Sequence, residues 1–512
     1  MNTLTRPAYA EAMATELSRC RMDAERAKAE LERRPNPKSR RRLGETYETL
    51  AARLIEYGQL KEAVTVQTRE LELMQDQLQR AGTPENRRSL ADLQESRGRL
   101  YLEIGQLPRC RQDYESAAEL RRTIAEETGD GTDRVRAGYS RMELAMYMAA
   151  DECAPERWQQ MMRQGLDEIR EGIRLQDTPE NRGVLYNGCG IAADCLEAVS
   201  EDEAARELRM QQEDLRPSLP EETLSTDPEA FLLELGDPAG TPGRDDAFLD
   251  CIRKLHQKRE AAGASEAERE AFCTLLEDAA VYVTGVRDRL VQALSLQVLS
   301  LRREQDSRES RARQADFLRR LSDAYRLPPW EWNRPAAASL LLSMEAPDQT
   351  SAPSDRAAAL ALLYAGRALP VLRQLMDEGI ADVRDSYAGC CETMGALALE
   401  QGRIAEAQEA YLSALPVRQE LAETTDYLSC RRAMARDLHG LGRVLEQKDE
   451  PEQALTLYQK ECAVLQKLVE ECGSRFDRQL LCDCYDALSE VSRSIGDLRS
   501  TKNYKLRKLS IQ

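Results

Sequence analysis

The sequence predicts an all-α protein, a right-handed α-solenoid built from helical hairpins. Residues 83–129 have the pattern of two amphipathic helices joined by a glycine turn, and similar units recur at intervals of 47 residues. The composition agrees, since 42% of the 512 residues are hydrophobic but only 5 are Phe and 3 are Trp. Such a chain favours close packing of helices over a β core.

The unit at 83–129 shows how each helix begins and ends. Thr83 and Pro84 fit the N-cap and first turn of a helix, and Gly105 lies where that helix should end. A second helix follows, and Gly129 closes the unit. Apolar residues recur in both helices at steps of three and four, so each helix needs a neighbour on which to bury that stripe.

The turns recur on a single period. Gly58 and Gly105 are 47 residues apart, and each is followed by Gln-Leu. The string TPENR begins at Thr83 and again at Thr178, which is two periods plus one residue later. Nearer the C-terminus the turn positions are again 47 residues apart, at Gly402, Asp449 and Gly496.

The period breaks in the middle of the chain, where residues 216–244 contain five prolines and three glycines. We therefore expect five segments. They are an N-terminal capping helix (1–34), an array of four repeats (35–215), a Pro/Gly-rich insert with a short helix (216–262), degenerate repeats with a Trp-containing insert (263–380), and an array of three repeats (381–512).

The charge balance is acidic. The chain has 72 Lys and Arg against 90 Asp and Glu, a formal net charge of −18. Because phosphate binding needs a cationic surface, this balance predicts no nucleic-acid partner. The basic run at 33–42 is an exception, which we interpret as a solvated turn or as a contact for an acidic partner.

Further patterns concern the compartment. The first seven residues lack the apolar core of a secretion signal, and no apolar run approaches the ~20 residues of a membrane span. The 14 cysteines are scattered along helical stripes without the spacing of a disulfide framework. We expect a cytoplasmic protein with no membrane partner.

The turn and its flanks resemble the tetratricopeptide repeat, in which small and aromatic residues alternate at fixed positions of two helices. The usual unit has 34 residues, whereas this one has 47. It is therefore similar to the longer variety found in the kinesin light chain and in bacterial arrays beside signalling ATPases or caspase-like proteases. The matching residues are Gly98, Tyr101, Gly105, Tyr114 and Ala117 in repeat two, Gly395, Gly402, Ala407, Tyr411 and Ala414 in repeat seven, and Leu441, Gly442, Ala454 and Tyr458 in repeat eight.

Nothing in the sequence points to catalysis. Only His256 and His439 are present, so a histidine-based metal site would have to join distant repeats. A phosphate-binding loop of the Gly-x-x-x-x-Gly-Lys-Ser/Thr type is not found, nor is a Cys–His protease signature. We expect no enzyme activity, no metal and no cofactor.

In tetratricopeptide arrays the first helix of each repeat lines a concave groove, so the resemblance implies partner-binding positions on those helices. Arg436 and Arg443 share one helical face with His439 between them, and this cluster suits a carboxylate or an acidic peptide. Salt bridges to Glu400 and Glu490 are the alternative. The implied positions are Glu95, Arg99, Tyr139, Met142, Met146, Tyr186, Arg436, His439, Arg443 and Arg493.

For the methionines, adaptable core packing is the alternative to a hydrophobic groove. Trp330 and Trp332 lie in a Pro-rich insert, where they either fill a gap between repeats or form a contact patch. The expected function is a scaffold or sensor that binds a peptide or protein partner in its groove. The alternatives are a regulatory subunit of a separately encoded protease or ATPase, and a self-associating assembly.

Overall fold

A computed structural model describes residues 6–150, 155–198, 201–215, 308–326, 355–380, 383–472 and 475–511, with single positions between 272 and 299. All regular elements of these residues are α-helices, so the predicted all-α class is confirmed. Trp330, Trp332 and the insert 216–262 lie outside the described residues, and the five-segment division stays a prediction.

In chain order the helices are α1 (Arg6–Arg33), α2 (Pro37–Glu56), α3 (Leu60–Arg80), α4 (Pro84–Glu103), α5 (Leu107–Thr128), α6 (Gly131–Ala150), α7 (Pro155–Leu175), α8 (Pro179–Ala198), α9 (Asp202–Leu215), α10 (Arg308–Arg326), α11 (Asp355–Asp377), α12 (Arg384–Glu400), α13 (Ile404–Thr424), α14 (Leu428–Gln447), α15 (Pro451–Cys472), α16 (Arg475–Ser494) and α17 (Leu498–Leu509). From α1 to α9 and from α11 to α17, short connections join consecutive helices.

The chain forms two compact units. The described residues of 6–212 and 415–511 make up the first, and those of 213–414 make up the second. In the first unit each helix from α1 to α8 packs on the next, as do α14 to α17. In the second unit α10 packs on α11, and both contact α12. Packing on the preceding and following helix is the arrangement expected for hairpins stacked in a solenoid.

The TPENR string builds the same helix start twice. The Thr83 hydroxyl accepts a hydrogen bond from the Asn86 backbone N–H at 3.3 Å, and the Asn86 side chain donates to the Ala81 carbonyl at 2.7 Å. Thr178 and Asn181 make the matching bonds, at 3.2 Å and, to the Gln176 carbonyl, 2.8 Å. Both threonines therefore satisfy backbone donors that a helix start leaves without partners, and the N-cap predicted at Thr83 is found.

The turns between the two helices of a hairpin are left-handed. Gly58 and Gly105 have φ of 70° and 75°, a conformation that glycine adopts without a steric penalty. Gly402 and Gly496 repeat this with φ of 71° and 82°, and Asp449 takes the same role with φ of 60°. The 47-residue spacing in the sequence is therefore the spacing of these turns in the structure.

Within a hairpin, a glycine of the first helix lies against a tyrosine of the second. A methyl group added to Gly98 would lie 2.7 Å from the ring of Tyr114, which is fully buried. The same pairing joins Gly395 to Tyr411 and Gly442 to Tyr458, where an added methyl group would lie 3.0 Å and 2.5 Å from the ring. Close approach of the two helices requires the glycine at each position.

The hairpin of α6 and α7 is packed differently, through backbone. A methyl group on Gly138 would lie 2.5 Å from the carbonyl oxygen of Gly165, and one on Gly131 would lie 2.6 Å from that of Gly172. The two glycines of each helix are seven residues apart, so the two helices touch along a seam of four glycines. The 47-residue pattern does not predict this seam.

The first unit also contains a contact between residues far apart in the chain. The Asp426 backbone N–H donates to the Gly58 carbonyl at 2.9 Å, and the Lys61 backbone N–H donates to the Asp426 carboxylate at 3.0 Å. Gly105 is in close contact with Cys472 and Leu428. We name these six residues the clasp. It joins the turns of the first two hairpins to the helix ends around α14 and α15.

We expect Gly138→Ala to destabilise the first unit. Overpacking a tight helix contact costs about 1–3 kcal/mol, which outweighs the gain of about 0.5–1 kcal/mol from replacing glycine inside a helix. Gly44→Ala in α2 is the control, because its added methyl group would meet only Leu73 at 4.0 Å. Thermal melting should show a lower midpoint for Gly138→Ala and an unchanged or higher one for Gly44→Ala. Equal shifts would contradict the glycine seam.

We also expect Asp426→Ala to loosen the clasp. The carboxylate caps the Lys61 N–H at the start of α3, and a lost cap costs about 0.5–2 kcal/mol. Amide hydrogen exchange should become faster at residues 58–61 and 426–428. Asp426→Asn keeps an acceptor oxygen and should retain most of the protection. Unchanged exchange in the alanine variant would argue against the contact.

Candidate partner-binding surface

Helices α4 and α6 bring together three polar side chains at the surface of the first unit. Arg99 is exposed, whereas Tyr139 and Glu143 are half-buried. We name these three residues the α4–α6 patch. Arg99 and Tyr139 were predicted from the resemblance, but Glu143 was not. It lies one helical turn after Tyr139, and that spacing was the signal available in the sequence.

A buried ion pair joins the helices that carry the α4–α6 patch. The Arg121 guanidinium of α5 lies 3.1 Å from the Glu95 carboxylate, and both side chains are about nine-tenths buried. The Ser140 hydroxyl of α6 donates to the same carboxylate at 2.6 Å. Glu95 was expected to face a partner; it is instead a structural residue that joins three helices. Its carboxylate is neutralised internally, which is what burial of a charge requires.

The polar groups of the α4–α6 patch make few hydrogen bonds with the described residues. The Arg99 Nε donates one long bond of 3.5 Å to the Glu95 carbonyl, and Arg99 forms no ion pair with the described residues. Neither the Tyr139 hydroxyl nor the Glu143 carboxyl has a hydrogen-bond partner within the described part of the chain. The patch therefore offers one cationic donor, one hydroxyl and one carboxyl to an external group.

Burial alters the acidity of the patch. It raises the pKa of Glu143 to about 7, an effect that the neighbouring Glu95 increases and that Arg99, Arg121 and Arg136 oppose. Burial also raises the pKa of Tyr139. Glu143 is therefore poised to change its charge near neutral pH.

Three of the predicted groove residues lie in the core instead. Met142 is 1% exposed and packs against Gly165 and Gly188, and Met146 is 7% exposed. Tyr186 is 5% exposed. Because the glycine seam draws α7 onto α6, the methionines fill the space beside it, and the core-packing alternative describes them correctly.

Helix α14 carries a second surface cluster. Arg436 and Arg443 are exposed, and His439 lies between them with 34% of its side chain exposed. The His439 Nδ1 is 3.2 Å from both carboxylate oxygens of Glu461 in α15, so its partner is not Glu400 or Glu490. We name Arg436, His439 and Arg443 the α14 patch. Arg493 is exposed on α16.

A pair of arginines holds successive repeats together in two places. Arg88 makes a two-point ion pair with Asp133, 45 residues later, at 2.8 and 2.6 Å, and Arg432 makes the same pair with Asp477 at 2.7 Å. The preceding residue, Arg87 or Arg431, pairs with a glutamate 40 residues later. These ion pairs were not predicted, although the Arg-Arg dipeptide occurs at both places in the sequence.

The search for known relatives gave only structural matches. No protein-family model and no curated protein matches the chain. A structure of BtubC (BKLC) from P. vanneervenii is 14% identical and covers 52% of this chain and 88% of that one, with a TM-score of 0.32. A signal transduction ATPase with a tetratricopeptide repeat sensor, from Pyrococcus horikoshii, is 11% identical and covers 87% of this chain and 52% of that one, with a TM-score of 0.36.

A third match corrects the sequence analysis. A human IFIT1 dimer with m7Gppp-AAAA is 14% identical and covers 91% of this chain and 89% of that one, with a TM-score of 0.27. That structure holds capped RNA, so the predicted exclusion of a nucleic-acid partner is wrong. The physical reason is that net charge describes the whole chain, whereas binding depends on the local charge of the contact surface.

No membrane-spanning helix is found in the described residues, since none is both long enough and apolar enough to cross a bilayer. The described cysteines are free thiols, and all except Cys472 are buried.

We expect Glu143→Gln to change how stability depends on pH. In the unfolded chain the Glu143 carboxyl has a pKa near 4.5, whereas in the folded chain its pKa is about 7. The folded state therefore binds more protons in this window, and its stability falls as the pH rises from 4.5 to 7. Gln cannot ionise, so the variant should be more stable than the natural chain at pH 8, by on the order of 1 kcal/mol.

Urea titrations at several pH values measure this effect. Glu156→Gln, at an exposed carboxylate in α7, is the matched control and should follow the natural chain. A Glu143→Gln curve parallel to that of the natural chain from pH 4.5 to 8 would show that Glu143 titrates normally.

Proposed function

We propose that this protein is a non-catalytic scaffold or sensor that holds a peptide segment of a protein partner against the α4–α6 patch. The observation that supports it is a set of three polar groups that make only one long hydrogen bond to the described residues, next to the buried Arg121–Glu95 ion pair. The buried ion pair fixes the helices that carry the patch, while the polar groups of the patch can still bond to a ligand. Such a surface is pre-organised, because few side chains have to be ordered when a ligand binds.

The chemistry of the patch indicates what the segment carries. The Arg99 guanidinium favours a carboxylate or a carbonyl oxygen, to which it can donate two parallel bonds. Glu143 favours a donor, and an ammonium or guanidinium group of the segment would stabilise its ionised form. Tyr139 adds an aromatic surface of the kind enriched at binding hot spots. We therefore propose a segment with an acceptor and a basic side chain close together.

Three further parts of the proposal rest on the sequence. The 47-residue unit is proposed to be the long tetratricopeptide variety that resembles the kinesin light chain repeat. The absence of enzyme activity is proposed because the chain has two histidines and no nucleotide-binding loop in its sequence. A cytoplasmic location is proposed from the free, buried thiols, which suit a reducing compartment.

Selection of a random peptide library on the purified full chain tests the binding proposal. We expect enriched peptides to bind Arg99→Glu roughly 30-fold more weakly, the effect of losing an interaction worth about 2 kcal/mol. Arg157→Glu makes the same change of charge at an exposed position of α7 and should bind normally. The proposal fails if no peptide is enriched, or if binding is indifferent to both Arg99→Glu and Glu143→Gln.

A further inference from the structure

The imidazole of His439 is held in one orientation by a buried acid. Its Nδ1 lies 3.2 Å from each carboxylate oxygen of Glu461, whose side chain is only 6% exposed. A carboxylate accepts hydrogen bonds, so Nδ1 is the nitrogen that carries the hydrogen. The Tyr458 ring, 5.4 Å away, packs beside the imidazole. This is how a second group fixes the tautomer and orientation of a functional histidine.

The other ring nitrogen is available for chemistry. The His439 Nε2 has no hydrogen-bond partner among the described residues, and about a third of the side chain is exposed. With the hydrogen on Nδ1, the neutral ring keeps its lone pair on Nε2. An oriented imidazole with an unshared lone pair is a nucleophile, and histidine is one of the residues that form covalent intermediates.

The α14 patch places two cations beside this nucleophile. Arg436 precedes His439 by three residues and Arg443 follows it by four, so all three lie on one face of the helix. Guanidinium groups match the oxygens of a phosphoryl group and stabilise its charge during transfer. The Glu461 carboxylate contacts the ring at Nδ1, and the Asp483 carboxylate of α16 accepts a hydrogen bond from Gln479 at 2.8 Å.

We propose that His439 is a phosphoryl-acceptor site, with an acyl phosphate as the donor. The Nε2 lone pair forms a bond to phosphorus, and the bond from phosphorus to the acyl oxygen breaks. The carboxylate of the donor leaves with that electron pair. The ring becomes positively charged, and Glu461 stabilises it through the Nδ1–H bond. No oxidant or reductant takes part.

The modification would lower the charge of the α14 patch. The phosphoryl group carries about −1.5 to −2 charges at neutral pH and the ring gains one positive charge, so the net change is about −0.5 to −1. Binding of an acidic group to this patch would then be weakened. The α4–α6 patch lies on other helices, so this inference does not depend on the proposed function.

The test is to incubate the purified full chain with acetyl phosphate and to measure its intact mass. We expect an acid-labile gain of one phosphoryl group, which tandem mass spectrometry places on His439. His439→Gln should abolish the gain, and His256→Gln, at the other histidine of the chain, should not change it. Glu461→Gln should slow the reaction roughly 10-fold or more, as loss of an orienting group does.

Two further measurements keep the result interpretable. The variant Arg443→Ala, at an exposed position of α14, should also react at least about 10-fold more slowly. Circular dichroism checks that each variant is folded. The proposal is overturned if the folded chain gains no phosphoryl group, if the gain survives His439→Gln, or if urea-unfolded chain reacts as fast as folded chain.

Discussion

A tyrosine ring resting on a glycine fixes how closely the two helices of a hairpin approach. The pair is separated by 16 residues in three hairpins, as Gly98 with Tyr114, Gly395 with Tyr411, and Gly442 with Tyr458. Any side chain larger than a hydrogen atom at the glycine would collide with the ring. The contact therefore fixes the rotation of the first helix about its own axis, as well as its distance from the second.

The surface patches follow from that rotation. Arg99 comes directly after Gly98, and Arg443 comes directly after Gly442. Adjacent residues on a helix point about 100° apart, so a glycine locked against its tyrosine turns the following arginine toward the open face. Both arginines are exposed. The α4–α6 patch and the α14 patch thus occupy equivalent places in two repeats, although their other members differ.

Ion pairs and the clasp fix the positions of hairpins relative to one another within the first unit. Asp133 and Asp477 are buried at helix starts, and each is neutralised by an arginine of the preceding repeat through two hydrogen bonds. A buried carboxylate without such a partner would be strongly destabilising, so these pairs specify the register of successive repeats. The clasp acts over a far longer separation, since Lys61 and Asp426 are 365 residues apart. It makes the two ends of the described chain parts of one compact unit.

The sequence by itself determined the helices, their turns and their caps, because these depend on local chemistry that recurs every 47 residues. The TPENR starts and the left-handed turns at Gly58 and Gly105 are examples. Only the tertiary structure decided which polar residues face outward. Glu95 and Met142 were predicted to line the same groove as Arg99. Arg121 on α5 instead pairs with Glu95, and Gly165 on α7 packs against Met142, so both side chains are buried. The clasp and the His439–Glu461 pair likewise depend on contacts between helices. A periodic sequence pattern does not predict which distant residues contact a given turn.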